Sequence, residues 1–598
     1  MRFLISIILF FSASIGFSQS SVLANNYFDQ GEYEKAKAIY EKIYEQSPRD
    51  LKNINQLVAT YQELQEYASA EKLLLEQLQG NVTYPNLWVD LGYNYQLQDQ
   101  PQKAQENYQK AIDRVGKSSA YAYTIGRSFQ QYNLLDEAVI TYETALKEKA
   151  NATFTVEVAR IYGEKGELNK MFESYLNLIE KEPKYVYAIK RNFAEFVTED
   201  KENEANQMLR KSLLVKNQQT PDVMYNSLLS WLFTQQKEYQ KAFVQERAIY
   251  VRSPQKNMRP MFELANLAQE ENQLEAAREI YNYLIVNEDI IARKIEAQAA
   301  LLQLEINEAT AKEYQKIEED FQQVFEAYTQ ASSTEIFPIQ LQYAQFLAFQ
   351  KGDKNSALAK LDTLLNSRIN RYEEAQAKMV KADILVLQEK FNQALIYYSQ
   401  IQKLLENSEI AQEATFKIAK TSFYKGDFDW AKTQLKVLKT ATSKLIANDA
   451  LQLHLLIGDN MQAEVDSTYT ALKQFAKADL LAYQKKNTEA ISLLNTILTE
   501  NKGQAIEDDA LFMKANILFK QKKYQEALES FKDIAVSTQR SIYADETYFF
   551  MAKIYEEELN NPEEAKSNYE KIIFEHEDSI YYNTARLKYR QLRGDAIN

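Results

Sequence analysis

The sequence predicts an all-α protein, a tandem-repeat α-solenoid built from about 13 to 14 helical hairpins. Three observations lead to this prediction. Small residues recur about every 34 positions over the first half of the chain. Apolar residues on both sides of each small residue follow the 3.6-residue period of an α-helix. Glycine and proline, at 13 and 9 of 598 residues, are scarce, which suits a chain of helices joined by short turns.

One hairpin is complete in the stretch WVDLGYNYQLQDQPQKAQENYQKA, residues 88–111. Apolar and small residues are spaced by one, three or four positions on each side of the segment LQDQPQ, so each half carries one apolar stripe of a helix. Pro101 has no backbone N–H to donate and therefore suits the turn or the start of the second helix. The stretch predicts two short amphipathic helices joined by a tight turn.

The same register continues along the chain, marked by the small residue of the second helix. In the first half the spacing is 33 to 37 residues, at Ala36, Ala70, Ala104, Ala138, Met171, Ala205, Ala242 and Ala277. In the second half it is 37 or 38 residues within two groups, Ala357, Ala394 and Ala431, then Ala490, Ala527 and Ala565. A hairpin with apolar stripes on both helices cannot bury them alone, so neighbouring hairpins are expected to stack.

These positions resemble the tetratricopeptide repeat family, whose pattern stands here as Trp88, Leu91, Gly92, Tyr95, Ala104, Tyr108 and Ala111. The FSQ segment near residue 18 and the repeat composition resemble exported repeat proteins of the Bacteroidota. The C-terminal units are similar to tetratricopeptide adaptors of outer-membrane assembly and cell division, on Asp578, Ser579, Tyr581 and Ala585. The resemblance implies a solenoid that binds proteins.

Six segments are expected along the chain. They are a signal peptide at 1–18, a tetratricopeptide array of period about 34 at 19–287, long helices and a linker at 288–338, a second array of period about 37 at 339–440, an irregular helical segment at 441–482 and a C-terminal array at 483–598. The linker is placed at TQASSTEIFP, residues 329–338, because it is rich in Ser and Thr and ends in Pro338.

The N-terminal segment MRFLISIILFFSASIGFSQS predicts export. It has an early Arg2, an apolar core and small residues before a cleavage point at Gln19, and its apolar run is short for a membrane span. The chain has no cysteine, so it cannot be a lipoprotein anchored through one. We therefore expect a periplasmic protein, free or peripheral to the outer membrane, that does not insert into a membrane after cleavage.

Charge and motifs exclude several classes of function. A formal net charge of −14 does not favour nucleic acid or anionic lipid surfaces. The chain contains no phosphate-binding glycine loop, no H-E-x2-H and no C-x2-C motif, and its two histidines, His454 and His576, are far apart. We expect no catalytic site, no metal site and no cofactor.

Protein binding is the class of function that remains after these exclusions, and the repeat register predicts which residues take part. The positions one after and three before the small residue of each first helix are expected to face the concave groove of the solenoid. These two positions include a set of aromatic, basic and amide residues that are candidates for binding, Tyr93, Tyr123, Arg127, Arg160, Lys190, Trp231, Phe262 and Asn266. Aromatic residues and arginine are enriched at binding hot spots. The alternative is a solvated inner wall with no single partner.

The sequence thus predicts a non-enzymatic scaffold or adaptor that binds a peptide or helix of a cell-envelope protein in its groove. The alternative is an accessory subunit of a secretion, gliding or polysaccharide- or peptidoglycan-processing machine. The sequence leaves the partner and the oligomeric state open.

Overall fold

A computed structural model describes residues 21–79, 84–438, 443–463, 468–537 and 541–595. These residues form α-helices joined by short turns and include no β-strand. The predicted all-α solenoid of stacked hairpins is therefore confirmed. The predicted signal peptide lies outside the described residues. None of the described helices has the length and apolar character that a membrane span requires.

The chain divides into two compact units, one ending at Ile280 and the other beginning at Tyr281. This division lies inside the segment that we assigned to the first array, while the other segment limits stay predictions. The first unit contains α1 (21–29), α2 (Tyr33–Gln46), α3 (Leu51–Glu63), α4 (Tyr67–Leu78), α5 (Leu87–Gln96), α6 (Pro101–Lys117), α7 (Ala122–Gln131), α8 (Leu135–Glu148), α9 (Ala152–Glu164), α10 (Leu168–Lys181), α11 (Val186–Phe193), α12 (Glu204–Gln219), α13 (Val223–Gln235), α14 (Tyr239–Arg252) and α15 (Arg259–Glu270), with α16 (Leu274–Asn287) crossing the division.

The second unit continues with α17 (Ile291–Glu308), α18 (Tyr314–Ala327), α19 (Ser333–Phe349), α20 (Lys354–Leu365), α21 (Arg371–Leu387), α22 (Phe391–Leu404), α23 (Glu409–Lys425), α24 (Phe428–Val437), α25 (Lys444–Ala463), α26 (Thr470–Tyr483), α27 (Asn487–Glu500), α28 (Ile506–Lys520), α29 (Tyr524–Ser537), α30 (Ala544–Lys553), α31 (Pro562–Glu575) and α32 (Tyr582–Arg593). A π-helical turn, Ile554–Glu558, continues α30. Because α26 and α27 form a hairpin, this hairpin begins at Thr470, before residue 483, where the last array is predicted to begin.

The small residues that define the repeat lie where two helices cross. All fourteen are buried, with exposures between 0% and 6%. Alanine at thirteen of these positions lets the two helices of a hairpin approach closely, and the residue four positions later, a tyrosine in seven hairpins, fills the wider gap beside it. The register predicted from the spacing is therefore the register of the core.

Glycine is required where a first helix approaches that tyrosine most closely. A methyl group added at Gly126 would overlap the buried ring of Tyr142, and one added at Gly92 would overlap the ring of Tyr108. The pairing of glycine with tyrosine on the facing helix explains why both residue types recur together in these two hairpins.

The turn inside each of many hairpins contains one residue in the left-handed conformation. Its φ lies between 47° and 82° at Gly31, Gln65, Asp99, Asn133, Gly166, Lys237, Asn272, Gly352, Glu389, Gly426, Lys485, Lys522 and Asn560. This conformation lets the chain reverse within a few residues and favours glycine or asparagine. Several hairpins use Gln, Lys or Glu instead and so retain some backbone strain at this position.

The predicted linker at 329–338 is wrong in its second half. Residues 333–338 form the first turns of α19, and Pro338 lies within that helix. A reciprocal capping box between Ser332 and Glu335 starts the helix, and Phe337 and Ile339 are buried. Capping and burial together outweigh the one backbone hydrogen bond that proline removes.

The second unit is braced by contacts between hairpins that are far apart in sequence. In α26 and the turn after it, Lys477 pairs with Glu389 at 3.1 Å, and Lys485 Nζ donates to the carbonyl of Phe349 at 2.7 Å. Gln484 Nε2 donates to the carbonyl of Leu387 at 3.2 Å, and the buried Leu480 packs in one apolar cluster with residues of α21 and α23. We call these contacts the α26 brace. It joins residues 88 to 136 positions apart.

Candidate binding grooves

A groove in the first unit, the unit 1 groove, contains three of the predicted binding residues. It is a cavity of about 660 Å³ lined by Leu51 and Asn55 of α3, Asn86 before α5, Tyr123, Thr124, Arg127, Ser128, Gln130 and Gln131 of α7, and Arg160 and Glu164 of α9. The helices α3, α7 and α9 are each the first helix of a hairpin. Tyr123, Arg127 and Arg160 therefore share one surface, as the register predicts.

Tyr123 and Arg127 form a contact pair on α7. Arg127 Nη2 donates to the Tyr123 hydroxyl at 3.0 Å, and its guanidinium carbon lies 5.3 Å from the centre of the tyrosine ring. The two residues are four positions apart and so lie on the same helix face. Both side chains are exposed, and Tyr123 retains 43% of its surface. The pair presents an aromatic ring and a cation held in one orientation.

Arg160 is held by carboxylates of its own helix. Its Nη2 lies 2.7 Å from Glu157, and its Nε lies 3.7 Å from Glu164. Among the charged residues lining the cavity, two arginines face one glutamate, so the lining has a formal charge of +1. The unit 1 groove is thus weakly basic within an acidic chain.

Two amide side chains in this groove have oxygen atoms with unused hydrogen-bonding capacity. Asn55 Oδ1 and Gln130 Oε1 are buried atoms with no hydrogen-bond partner among the described residues. A buried acceptor without a partner costs about 1 to 3 kcal/mol. We did not include these two residues among the candidates. Asn55 stands at a register position, but its polarity alone gave no reason to select it.

The other five candidates lie outside the described lining of this cavity. Lys190 Nζ lies 5.9 Å from the centre of the Trp231 ring, and both side chains are half-buried. The guanidinium of Arg259 lies 5.2 Å from the Phe262 ring, and Asn266 is half-buried on the same helix. Lys190 and Trp231 thus form a second aromatic and basic pair of the first unit.

Tyr93 packs within the repeat array. Its ring stacks on Tyr132 with centres 4.0 Å apart, and Val89, at the other register position of α5, is fully buried. The expectation that this register always faces the groove is therefore wrong for α5. The Tyr93 ring covers a buried polar network in which the Tyr132 hydroxyl donates to Asp90 Oδ1 at 2.7 Å.

Asp90 is an unusual residue of this core. It is 4% exposed, and its second carboxylate oxygen has no hydrogen-bond partner among the described residues. Burial raises its pKa to about 6, against the smaller opposing effect of the Tyr132 hydrogen bond.

The second unit contains a larger groove, which we call the unit 2 groove. Two adjoining cavities of about 730 and 590 Å³ are lined by the first helices α19, α21, α23, α26 and α28, together with α25. The two cavities share five lining residues, Phe416, Lys420, Tyr424, Asp449 and Tyr483. They therefore form one continuous surface.

The register rule from the first unit also predicts the floor of the unit 2 groove. Asp383, Lys420, Asp479 and Asn516 each follow a fully buried alanine of a first helix, and each lines the groove. The sequence carried this information, but we had applied the rule only to the first half of the chain.

Charged residues on this floor neutralise one another in pairs. Lys417 Nζ lies 2.8 Å from Asp383, which also accepts a hydrogen bond of 2.5 Å from the Tyr398 hydroxyl. Lys420 pairs with Asp479 across α23 and α26, and its Nζ lies 5.4 Å from the centre of the Tyr424 ring. Among the described lining residues, six carboxylates face three lysines, a formal charge of −3.

In the described part of the chain, no group of three or more Asp, Glu or His side chains is arranged to hold a metal ion. The lining residues of both grooves include aromatic, aliphatic, amide and charged side chains. Such surfaces are typical of recognition sites.

Comparison with known families supports the fold. Models of the tetratricopeptide repeat match residues 27–88, 475–541 and 545–573. These segments lie in both units and cover the first hairpins and the C-terminal hairpins. The hairpins in these segments thus match the tetratricopeptide repeat, a fold that is typically non-catalytic and that supports a protein-interaction scaffold.

Similar solved structures were also found, whereas no curated protein matches the chain significantly. One is Naa15/Naa10 bound to HypK-THB, at 12% identity and a TM-score of 0.26, covering 91% of this chain and 97% of that one. Another is the APC/C hetero-tetramer Cut9–Hcn1, at 11% identity and a TM-score of 0.24, covering 96% of each chain. At this low sequence identity and TM-score, the partners of those complexes are not inferred for this chain.

Proposed function

We propose that this protein is a non-enzymatic scaffold that binds a peptide or helix of a partner protein in the unit 1 groove. The observation that carries the proposal is the shared cavity of Tyr123, Arg127 and Arg160, built from successive first helices. Arg127 would pair with a carboxylate of the partner, and the Tyr123 ring would cover an apolar side chain.

A matched pair of variants tests this proposal. Tyr123→Ala/Arg127→Gln removes the contact pair from the groove, whereas Tyr187→Ala/Arg191→Gln removes the same residue types, at the same spacing, from the exposed face of α11. Peptides rich in aspartate and glutamate would be selected by display on the intact chain, and their affinities measured by fluorescence anisotropy. We expect the groove variant to raise Kd about tenfold or more and the α11 variant to change it less than about twofold. Equal losses in both variants, or no selected binder, would contradict the proposal.

We further propose that the protein acts outside the cytoplasm, in the periplasm or at the periphery of the outer membrane. The support is the sequence of residues 1–18, which has the charged start, apolar core and small residues of a signal peptide. N-terminal sequencing of the protein from its native cells should give Gln19 or a residue close to it. An intact Met1 on membrane-embedded protein would contradict export by cleavage.

A further inference from the structure

The unit 2 groove has the dimensions of a peptide site. Its two adjoining cavities, of about 730 and 590 Å³, each fall in the size range of ligand sites. The lining extends over several successive first helices, which suits an elongated ligand better than a compact one. Its residues therefore form a surface along which a chain segment could lie.

The ion pairs on the floor of this groove give it no preference for an acidic or a basic ligand. Lys417 is paired with Asp383, and Lys420 with Asp479, so each lysine is already compensated by a carboxylate of a neighbouring helix. An acidic partner would have to displace these internal pairs.

Three further carboxylates line the cavity beside these ion pairs. Glu409 and Glu413 are one turn apart on α23, Asp449 lies on α25, and all three side chains are exposed and line the cavity. The nearest described lysine to Glu413 is Lys417 at 3.8 Å, and it is already shared with Asp383. These three carboxylates favour a cationic ligand.

Aromatic surfaces lie beside these carboxylates. The Tyr372 side chain is 55% exposed in the same cavity, Phe416 is half-buried, and the rings of Tyr424 and Tyr483 are stacked with centres 6.3 Å apart. An aromatic face can receive both an apolar side chain and a cation. Carboxylates beside aromatic rings fit a ligand that carries basic and apolar groups together.

We infer that the unit 2 groove is a second binding site, and that its ligand is a basic peptide segment in which lysine or arginine alternates with apolar side chains. The basic side chains pair with Glu409, Glu413 and Asp449, while the apolar ones pack against Tyr372 and Phe416. The charge of the lining is opposite to that of the unit 1 groove, so the two sites select different segments. This inference does not depend on the proposed function of the unit 1 groove.

The test uses the intact chain and two labelled synthetic peptides. One alternates lysine with leucine and phenylalanine, and the other has glutamate in place of each lysine. The groove variant is Glu409→Gln/Glu413→Gln/Asp449→Asn. The control variant, Asp429→Asn/Glu489→Gln/Glu526→Gln, removes the same charge from exposed positions on the second helices α24, α27 and α29.

We expect the basic peptide to bind the wild-type chain and the acidic peptide to bind at least about tenfold more weakly. The groove variant should lose about tenfold in affinity for the basic peptide, and the control variant less than about twofold. Hydrogen exchange should show protection of α21 and α23 on binding. Tyr123→Ala/Arg127→Gln should leave this binding unchanged, which separates it from the unit 1 groove.

Three results would overturn the inference. They are equal losses in the groove and control variants, binding of the acidic peptide as tight as that of the basic one, and displacement of the basic peptide by a simple polyamine at comparable affinity. The last result would indicate a site for small cations instead of a peptide.

Discussion

The unit 1 groove and the unit 2 groove are made from equivalent positions of the hairpin, yet their linings carry opposite formal charge. In the first, the position after the small residue holds Arg127 and Arg160, and in the second it holds Asp383, Lys420 and Asp479. Buried alanines set the packing in both units, whereas close glycine–tyrosine contacts are described in the first. In this fold the residues that build the core and those that line the grooves are neighbours in sequence but vary independently.

The two units also differ in how their hairpins are connected. Inter-hairpin hydrogen bonds in the first unit include Tyr132 to Asp90, 42 positions apart, whereas the α26 brace of the second unit spans up to 136 positions. A repeat array whose units contact only their neighbours can lose structure locally, while a cross-braced array loses it more cooperatively. Three experiments compare the two units, and the first of them tests this difference directly.

The largest effect is expected from two matched core substitutions, Leu480→Ala and Leu91→Ala. Both leucines are 1% exposed, so each substitution should cost about 2 to 5 kcal/mol of unfolding free energy. In hydrogen-exchange measurements Leu91→Ala should weaken protection in α5 and the adjoining hairpins only. Leu480→Ala should also weaken α21 and α23, because Leu480 packs in their cluster. A loss confined to α26 and α27 would show that the brace does not couple these hairpins.

The next effect concerns pH and compares Asp90 with Asp509, whose pKa values burial raises to about 6. A folded-state pKa above the unfolded value of 3.8 means that the contribution to stability is complete below pH 3.8 and is lost as the pH rises through about 6. At neutral pH the ionised Asp90 should therefore lower the unfolding free energy by up to about 3 kcal/mol. Asp90→Asn should raise the thermal midpoint at pH 7 and leave it nearly unchanged at pH 4.

Asp509 provides the comparison because both of its oxygens accept hydrogen bonds, from Tyr543 at 2.6 Å and Asn460 at 2.8 Å. An amide at that position keeps only one acceptor oxygen, so Asp509→Asn loses a hydrogen bond that contributes about 1 kcal/mol. Its net stabilisation at neutral pH should therefore be smaller than that of Asp90→Asn. Thermal unfolding of both variants across this pH range measures the difference. Equal stabilisation by both would contradict the role assigned to the second oxygen of Asp90.

The smallest effect is expected at the hairpin turns and should be the same in both units. Gln65 and Lys522 are exposed and adopt φ values of 60° and 59°. Gln65→Gly and Lys522→Gly should each stabilise the chain by about 0.5 kcal/mol, because relief of left-handed strain slightly exceeds the entropy cost of glycine. Asn133→Gly, at a φ of 55°, should change the stability less. Denaturant titration would measure the unfolding free energies of these variants. Destabilisation by Gln65→Gly or Lys522→Gly would contradict the presence of backbone strain at these positions.

Most of the fold follows from local spacing, and for that reason could be predicted. The small residues at the helix crossings and the glycine–tyrosine pairs repeat at short range, and each is buried as the pattern indicates. Pro338 misled the prediction because burial of Phe337 and Ile339 in α19 depends on residues distant in sequence. The α26 brace could not be predicted either, since Lys485 and Phe349 share no pattern that marks them as partners.

Part of the candidate site could be predicted from the same repeat spacing. Tyr123, Arg127 and Arg160 share one lining because equivalent positions of stacked hairpins fall on one surface. Lys190, Trp231, Phe262 and Asn266 occupy the same register but lie outside that lining. The register identifies the helix face on which a side chain lies, but it does not fix the direction in which that face points in each hairpin. The unsatisfied oxygens of Asn55 and Gln130 depend on which neighbours fail to reach them.

The α26 brace also has a mechanical consequence. A pulling force applied across the first unit acts on one hairpin interface after another, so this unit should extend in small steps at modest load. Force applied across the second unit must first separate the three turns joined by Lys477, Gln484 and Lys485, which load in parallel. The second unit should therefore keep its length up to a threshold force and then unfold in one large step. Under tension the chain would contain a compliant segment followed by a stiff one.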